Sequence, residues 1–231
     1  MREPLIIGHR GAPLIALENT TPAFAAAIAA GADGIEFDVR LSSDGVPVTI
    51  HDDTLARTHG VRKRVAELTA AELRGFGVPS LRELFELTIG NGLVLYLEIK
   101  SREPELPQLC ERLVREFGFE ERVIVECFEL DVLRGVGLVT AALLEPRVYP
   151  DRHIVERTLE VGATVLALHH RLAKLALVEK AKAGGLRVVV WTVDDPAWIA
   201  RARAMGIEAL ITNDPATMIE AADRIRVQLD Q

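Results

Sequence analysis

The sequence predicts an α/β protein of the (β/α)8 TIM-barrel class, built as one domain over residues 1–231. Three observations carry this expectation. Short apolar runs alternate with helical stretches along most of the chain. Eight of those runs can be counted, beginning near Leu5, Ile35, Leu93, Val123, Thr140, Val165, Val188 and Ala209. Chemistry-bearing residues recur where the runs end, which is where barrels build their sites. The count of eight requires residues 47–50 to be the return leg of a hairpin above the sheet. A doubly wound open sheet is the alternative, because alternation alone does not prove closure.

The elements follow in order. Residues 5–9 read as a short buried strand ending on His9-Arg10-Gly11. Thr21 is suited to cap a helix and Pro22 to open it, with Gly31 past its end. The next strand, around Gly34-Ile35-Glu36-Phe37-Asp38, puts both acids on one face and Phe37 on the other. Ser42-Ser43-Asp44-Gly45 reads as a turn, and the return leg delivers His51 beside those acids. Residues 53–60 look like loop, within a short insertion spanning about 52–79. Thr69…Glu72 and Ser80…Glu83 are capping-box patterns opening two helices, the second reaching about Ile89.

Beyond that point the rhythm is regular. Helices are expected over residues 105–117, 151–161 and 173–183, with a short helical stretch from Asp131. Asp195-Pro196 and Asp214-Pro215 are cap-then-proline signals for the last two helices. No Gly-x-Gly-x-x-Gly follows a strand, so a dinucleotide fold is not indicated.

Composition narrows the partners. Of the 231 residues, 49% are hydrophobic, enough for a large core, and the formal charge of −7 argues against a polyanionic nucleic-acid partner. A small phosphate ligand stays compatible, since a metal ion can invert the local field. No apolar run is long enough to span a bilayer, and Met1-Arg2-Glu3-Pro4 enters the first strand without a leader pattern. Cys110 and Cys127 sit among apolar neighbours and form no disulfide framework. A cytoplasmic protein without stable membrane insertion is expected; the oligomeric state is not indicated.

The site residues have competing explanations when taken singly. Glu36 and Asp38 suit an exposed edge strand, or a hard divalent cation. Glu98 and Lys100 share a strand face and could be a simple ion pair; together with Glu36 and Asp38, Glu98 completes a three-carboxylate site for Mg²⁺ or Ca²⁺. Lys100 then meets an anionic ligand. His9 and His51 could be core histidines, or an acid and base for one displacement. Arg10 could lie on the surface or grip phosphate, and Trp191 could pack in the core or wall a substrate. His169 and His170 read as structural, and His59 as solvated. What favours the chemical readings is convergence, since the plain ones predict no clustering at one face.

These residues resemble the glycerophosphodiester phosphodiesterase family. The resemblance runs through His9-Arg10-Gly11, Glu18-Asn19-Thr20, Glu36-Phe37-Asp38-Val39, His51-Asp52, Glu98-Ile99-Lys100, Trp191-Thr192-Val193 and Ile211-Thr212-Asn213-Asp214-Pro215. It implies a TIM barrel of glycerol and lipid metabolism that cleaves a phosphodiester to glycerol 3-phosphate and an alcohol. It further implies a divalent cation on Glu36, Asp38 and Glu98, acid–base work by His9 and His51, phosphate contacts from Arg10 and Lys100, and a glycerol wall at Trp191. His9 is taken as base and His51 as acid, although sequence does not decide between them. Leu17 stands where the family usually has proline, Cys127-Phe128 where it has Ser-Phe, and the insertion after His51 is short. The rival readings are a phospholipase C-like route through a cyclic phosphate, and a barrel that binds phosphodiesters without cleaving them.

Overall fold

The computed structural model describes residues 3–146 and 153–229. Eight parallel strands close into a barrel: β1 (Leu5–His9), β2 (Gly34–Leu41), β4 (Val94–Ile99), β5 (Val123–Cys127), β6 (Val139–Leu144), β7 (Val165–His169), β8 (Arg187–Trp191) and β9 (Ala209–Thr212). Closure is explicit, because β1 pairs in parallel with β2 on one side and with β9 on the other. The open-sheet alternative is thereby excluded. The remaining strand, β3 (Pro47–Thr49), runs antiparallel to β2, with Val39 opposite Thr49. Residues 47–49 therefore stand outside the barrel wall, as the hairpin reading requires.

Alternation sorts the side chains. Ile7, Tyr96, Ile124, Ala141, Val165, Val189 and Ile211 fill the barrel interior. Their neighbours along the strands, such as Leu97, Val125 and Ala142, face the helices, as Phe37 does on β2. Parallel strands covered on both faces are expected to be apolar throughout. Glu36, Asp38, Glu98 and Glu126 break that rule while staying at most 6% exposed, all towards the C-terminal mouth.

The helices are α1 (Thr21–Ala29), α2 (Ala56–His59), α3 (Ala70–Gly75), α4 (Leu81–Leu87), α5 (Leu106–Phe117), α6 (Ile154–Glu160), α7 (Leu175–Ala183), α8 (Ala197–Met205) and α9 (Pro215–Leu229). Both capping boxes form, at Thr69/Glu72 and Ser80/Glu83. The cap of α1 is Thr20 and not Thr21; its hydroxyl donates to the Leu17 carbonyl, so it caps without the usual side-chain bond. Residues 53–60 are not wholly loop, since Ala56–His59 closes one helical turn. Between β5 and β6 only a 3-10 turn, Leu130–Leu133, takes the place of a full helix. The expected start of α6 at Asp151 lies outside the described residues.

The segment after the hairpin is tied down by its own small core of Val48, Ile50, Leu55, Val65, Leu68, Leu73 and Val78. This patch fixes the chain on either side of His51. Among the described residues, no helix is long and apolar enough to cross a membrane.

Candidate active site

The barrel register assembles the site. His9 is the Cα partner of Glu36, Asp38 of Glu98, and Glu98 of Glu126. Four adjacent strands thus place their polar residues in one layer at the mouth. Gly8 and Gly11 make the first corner possible. A Cβ on Gly8 would stand 2.4 Å from the Gly11 carbonyl oxygen, and Gly11 itself has φ 90° against the backbone of Ala23. The chain can therefore turn sharply at His9-Arg10 and aim both side chains inward.

Glu36, Asp38 and Glu98 each offer an oxygen, and those atoms lie within 4.8 Å of one another. Asp38 Oδ1 is buried with no hydrogen-bond donor among the described residues, leaving a lone pair to be met by a cation. An all-oxygen, all-carboxylate set of this kind fits a hard divalent ion. The surrounding cations compensate only in part. Lys100 Nζ is 2.7 Å from Glu98 and 3.5 Å from Asp38, and Arg10 Nε is 3.1 Å from Asp38 Oδ2 without its N–H aligned on that oxygen.

The acids respond differently to this field. Burial pushes Asp38 up, but Arg10, Lys100 and an Asn19 hydrogen bond outweigh it and hold the carboxyl at about 2. Burial and the Asp38 charge push Glu98 up to about 8 despite Lys100. Glu36 is raised well above the carboxylate range by burial first and Asp38 next.

Each histidine is fixed through Nδ1. His9 Nδ1 lies 2.7 Å from Asn213 Oδ1. Asn213 Nδ2 donates to Asp194 Oδ2, so its oxygen is the atom left to face the ring. His9 therefore carries its proton on Nδ1, and Nε2, 3.8 Å from Glu36 Oε2, presents a lone pair to the site. His51 Nδ1 lies 2.6 Å from Asp52 Oδ1. Asp52 accepts from Arg57, Arg57 donates to Glu18, and Glu18 accepts from Arg10. A continuous chain of charges thus links the two sides of the mouth. Burial, as the largest influence, lowers the basicity of both rings.

All eight residues singled out from sequence border this region; seven of them line one cavity of about 280 Å³, and Asp38 is buried beneath it. Phe128, Leu143, Glu145, Trp191 and Ile211 form the opposite wall. Trp191 is anchored by its Nε1 to the Ala167 carbonyl at 3.1 Å and packs edge-on against Phe128. His169 and His170 stay outside this lining. His59 departs from expectation: its Nε2 is buried and has no partner among the described residues, while Nδ1 lies 2.8 Å from the Thr58 hydroxyl.

Sequence reasoning gave no role to Asn19, Asp52, Arg57, Glu126, Asp194 and Asn213. Asn19 is bound to Asp38 through both its amide atoms and aligns that carboxylate. Asn213 could have been suspected from its place just past a strand end. Arg57 could not, because a contact across 39 residues leaves no local trace.

The family model described as the glycerophosphoryl diester phosphodiesterase family matches residues 9–217. The chain belongs to this family. A glycerophosphodiester phosphodiesterase of Caldanaerobacter subterraneus subsp. tengcongensis is 34% identical, over 93% of this chain and 96% of its own. The crystal structure of a Thermotoga maritima glycerophosphodiester phosphodiesterase superposes with TM-score 0.83 at 27% identity, covering 95% of this chain and 99% of that one. An Oleispira antarctica phosphodiesterase, solved in complex with the product sn-glycerol-3-phosphate, shares the fold with TM-score 0.84 at 24% identity, over 96% of this chain and 97% of that one. His9, Glu36, Asp38, His51 and Glu98 thus sit together on a fold that the family shares.

Proposed function

We propose that this chain hydrolyses glycerophosphodiesters to glycerol 3-phosphate and an alcohol, with a divalent cation, Mg²⁺ or Ca²⁺, held by Glu36, Asp38 and Glu98. The observation that carries the reading is the pair of imidazoles, each fixed by Nδ1, flanking one buried carboxylate triad. The Oleispira antarctica enzyme's product complex supports glycerol 3-phosphate as the ligand class.

A phosphodiester monoanion repels an incoming oxygen. A divalent cation held by Glu36, Asp38 and Glu98 would supply Lewis acidity for the non-bridging oxygens. Arg10 and Lys100 hold the same oxygens through charge-assisted hydrogen bonds. His9 takes a proton from the attacking water at Nε2, and the Asn213 acceptor stabilises the resulting imidazolium through Nδ1–H. His51 gives its Nε2 proton to the departing alkoxide, with Asp52 keeping Nδ1–H in place. The P–O bond to water forms as the P–O bond to the alcohol breaks; the water's proton rests on His9, the alcohol's has come from His51, and exchange with solvent restores both rings before the next turnover. Trp191 and Phe128 present an apolar wall to the glycerol carbons.

The buried free thiols of Cys110 and Cys127 suit a reducing, cytoplasmic setting, and the net charge of −7 disfavours nucleic acid as a partner. The test is glycerol 3-phosphate release from a panel of glycerophosphodiesters, with each metal and with chelator. No release from any of them would end the reading.

A further inference from the structure

The mouth holds a fourth buried carboxylate that the hydrolytic scheme leaves idle. Glu126 is on β5, in register with Glu98 on one side and Ala141 on the other. Ile124, two residues earlier, points into the barrel interior, so Glu126 does too, one layer nearer the mouth. Glu126 is 1% exposed, yet its Oε2 has no hydrogen-bond partner among the described residues. A carboxylate oxygen left in that state is costly unless a donor arrives during function.

Among the described residues, none supplies the donor. Lys100 is taken up by Glu98 and Asp38. Nor does Glu126 join the cation set, whose mutually close oxygens come from Glu36, Asp38 and Glu98 alone among the described residues. Glu126 instead shares the cavity with Phe128, Leu143, Glu145, Trp191 and Ile211. That half of the cavity offers apolar contact and two carboxylates, of which Glu126 is the fully buried one with an oxygen left unpartnered among the described residues. A short carbon chain bearing a hydroxyl matches it, where a second phosphate would be repelled.

Two parts of a glycerophosphodiester carry carbon. The alcohol varies in size and must extend towards solvent. The glycerol unit is small and constant, so it can enter the buried end where Glu126 lies. We infer that Glu126 is a specificity-determining residue that accepts a hydrogen bond from a free hydroxyl of the substrate's glycerol unit. This rests on the hydrolytic reading above and adds the basis of its selectivity.

The experiment compares sn-glycerol 3-phosphate with propyl phosphate, which keeps the phosphate and carbon chain but lacks both hydroxyls. Affinities are measured by calorimetry with saturating Ca²⁺, for wild type, Glu126→Met and Glu126→Gln. Wild type should prefer the glycerol ligand by about 10- to 100-fold, the span of one hydrogen bond to a charged group. Glu126→Met keeps the volume without a strong acceptor, and should lose most of that preference while propyl phosphate affinity changes little. Glu126→Gln keeps one neutral acceptor and should lose part of it, which preserves the test if the Met variant does not fold.

A folded variant with the wild-type ratio, or a wild type without preference, overturns the assignment. So does a loss of Ca²⁺ affinity in the variants with the ratio preserved, which would place Glu126 with the metal. Glycerol 3-phosphate release is scored alongside on a glycerophosphodiester. A wild type that releases none overturns the hydrolytic reading and this inference with it; release by wild type with unchanged ratios overturns this inference alone.

Discussion

His9 Nδ1 stands 2.7 Å from Asn213 Oδ1, the last link of a chain that begins at Asp194. Asp194 also accepts from the Asn213 backbone N–H and the Thr212 hydroxyl, so the amide cannot easily flip. The ring of His9 is therefore held in one orientation and one tautomer before any ligand binds.

Asn213→Ala should uncouple that orientation. The expected loss in kcat is roughly 10²-fold, the scale of a misplaced catalytic group. The pH profile of kcat/KM should shift as well, because the acceptor that favours protonated His9 is gone. Unchanged kcat and profile would show that His9 is placed by other contacts.

The cation should stabilise the fold in a pH-dependent way. Glu36, Glu98 and Glu126 have folded-state pKa values above the ordinary 4.5, with Glu98 at about 8. A raised group contributes stability that is full below the unfolded value and lost as pH rises through the folded one. Between these limits the buried carboxyls of the metal-free fold stay protonated while the unfolded ones ionise, so stability falls as pH rises; a cation favours their ionised form and offsets that loss. His9 and His51 are lowered, so their contribution is lost as pH falls below 6.5, in the direction opposite to that of the raised carboxyls. The Tm increment from saturating Ca²⁺ should be larger at about pH 8.5 than at about pH 5.5. A thermal shift of equal size at both would contradict the carboxylate site.

The barrel was legible because its signals are local. Strand runs, Asp-Pro caps and the Thr69 and Ser80 capping boxes each occupy a few adjacent residues, and each element formed within a few positions. The pairing of Glu36 with Asp38 on one face was equally local, being a consequence of strand alternation. What stayed hidden depends on distance. Asn213 meets His9 across 204 residues, and Arg57 meets Glu18 across 39. Glu126 was passed over for another reason: it stands inside an apolar strand, where only the register with Glu98 reveals its direction. The one-turn helix Ala56–His59 was missed because a stretch so short has no periodicity to read.

Arg10 and Lys100 should matter for anion binding. Each is partly buried and already oriented by acids at the mouth. Arg10→Ala or Lys100→Ala should weaken glycerol 3-phosphate by about 10- to 100-fold, as loss of a charge-assisted contact predicts. Calorimetry with metal saturating checks this, and unchanged affinity in both variants would remove them from the phosphate site.

The outer core should be sensitive at Phe37, which is fully buried and packs edge-on to Phe24 at 6.2 Å between centroids. Phe37→Ala should cost about 3–5 kcal/mol, lowering Tm by roughly 10 °C in a chain of this size. A loss under about 1 kcal/mol by chemical denaturation would mean that the helix layer repacks around the gap.

The most direct test of the account measures turnover of a natural glycerophosphodiester by His9→Ala and His51→Ala, with glycerol 3-phosphate affinity measured alongside. Each variant should lose roughly 10²–10⁴-fold in kcat, the usual worth of a general acid or base, while ligand binding persists through Arg10, Lys100 and the cation. On a p-nitrophenyl ester, whose leaving group needs little protonation, His51→Ala should be partly rescued and His9→Ala should not. Near-wild-type turnover of the natural substrate by both variants would contradict the two-histidine mechanism.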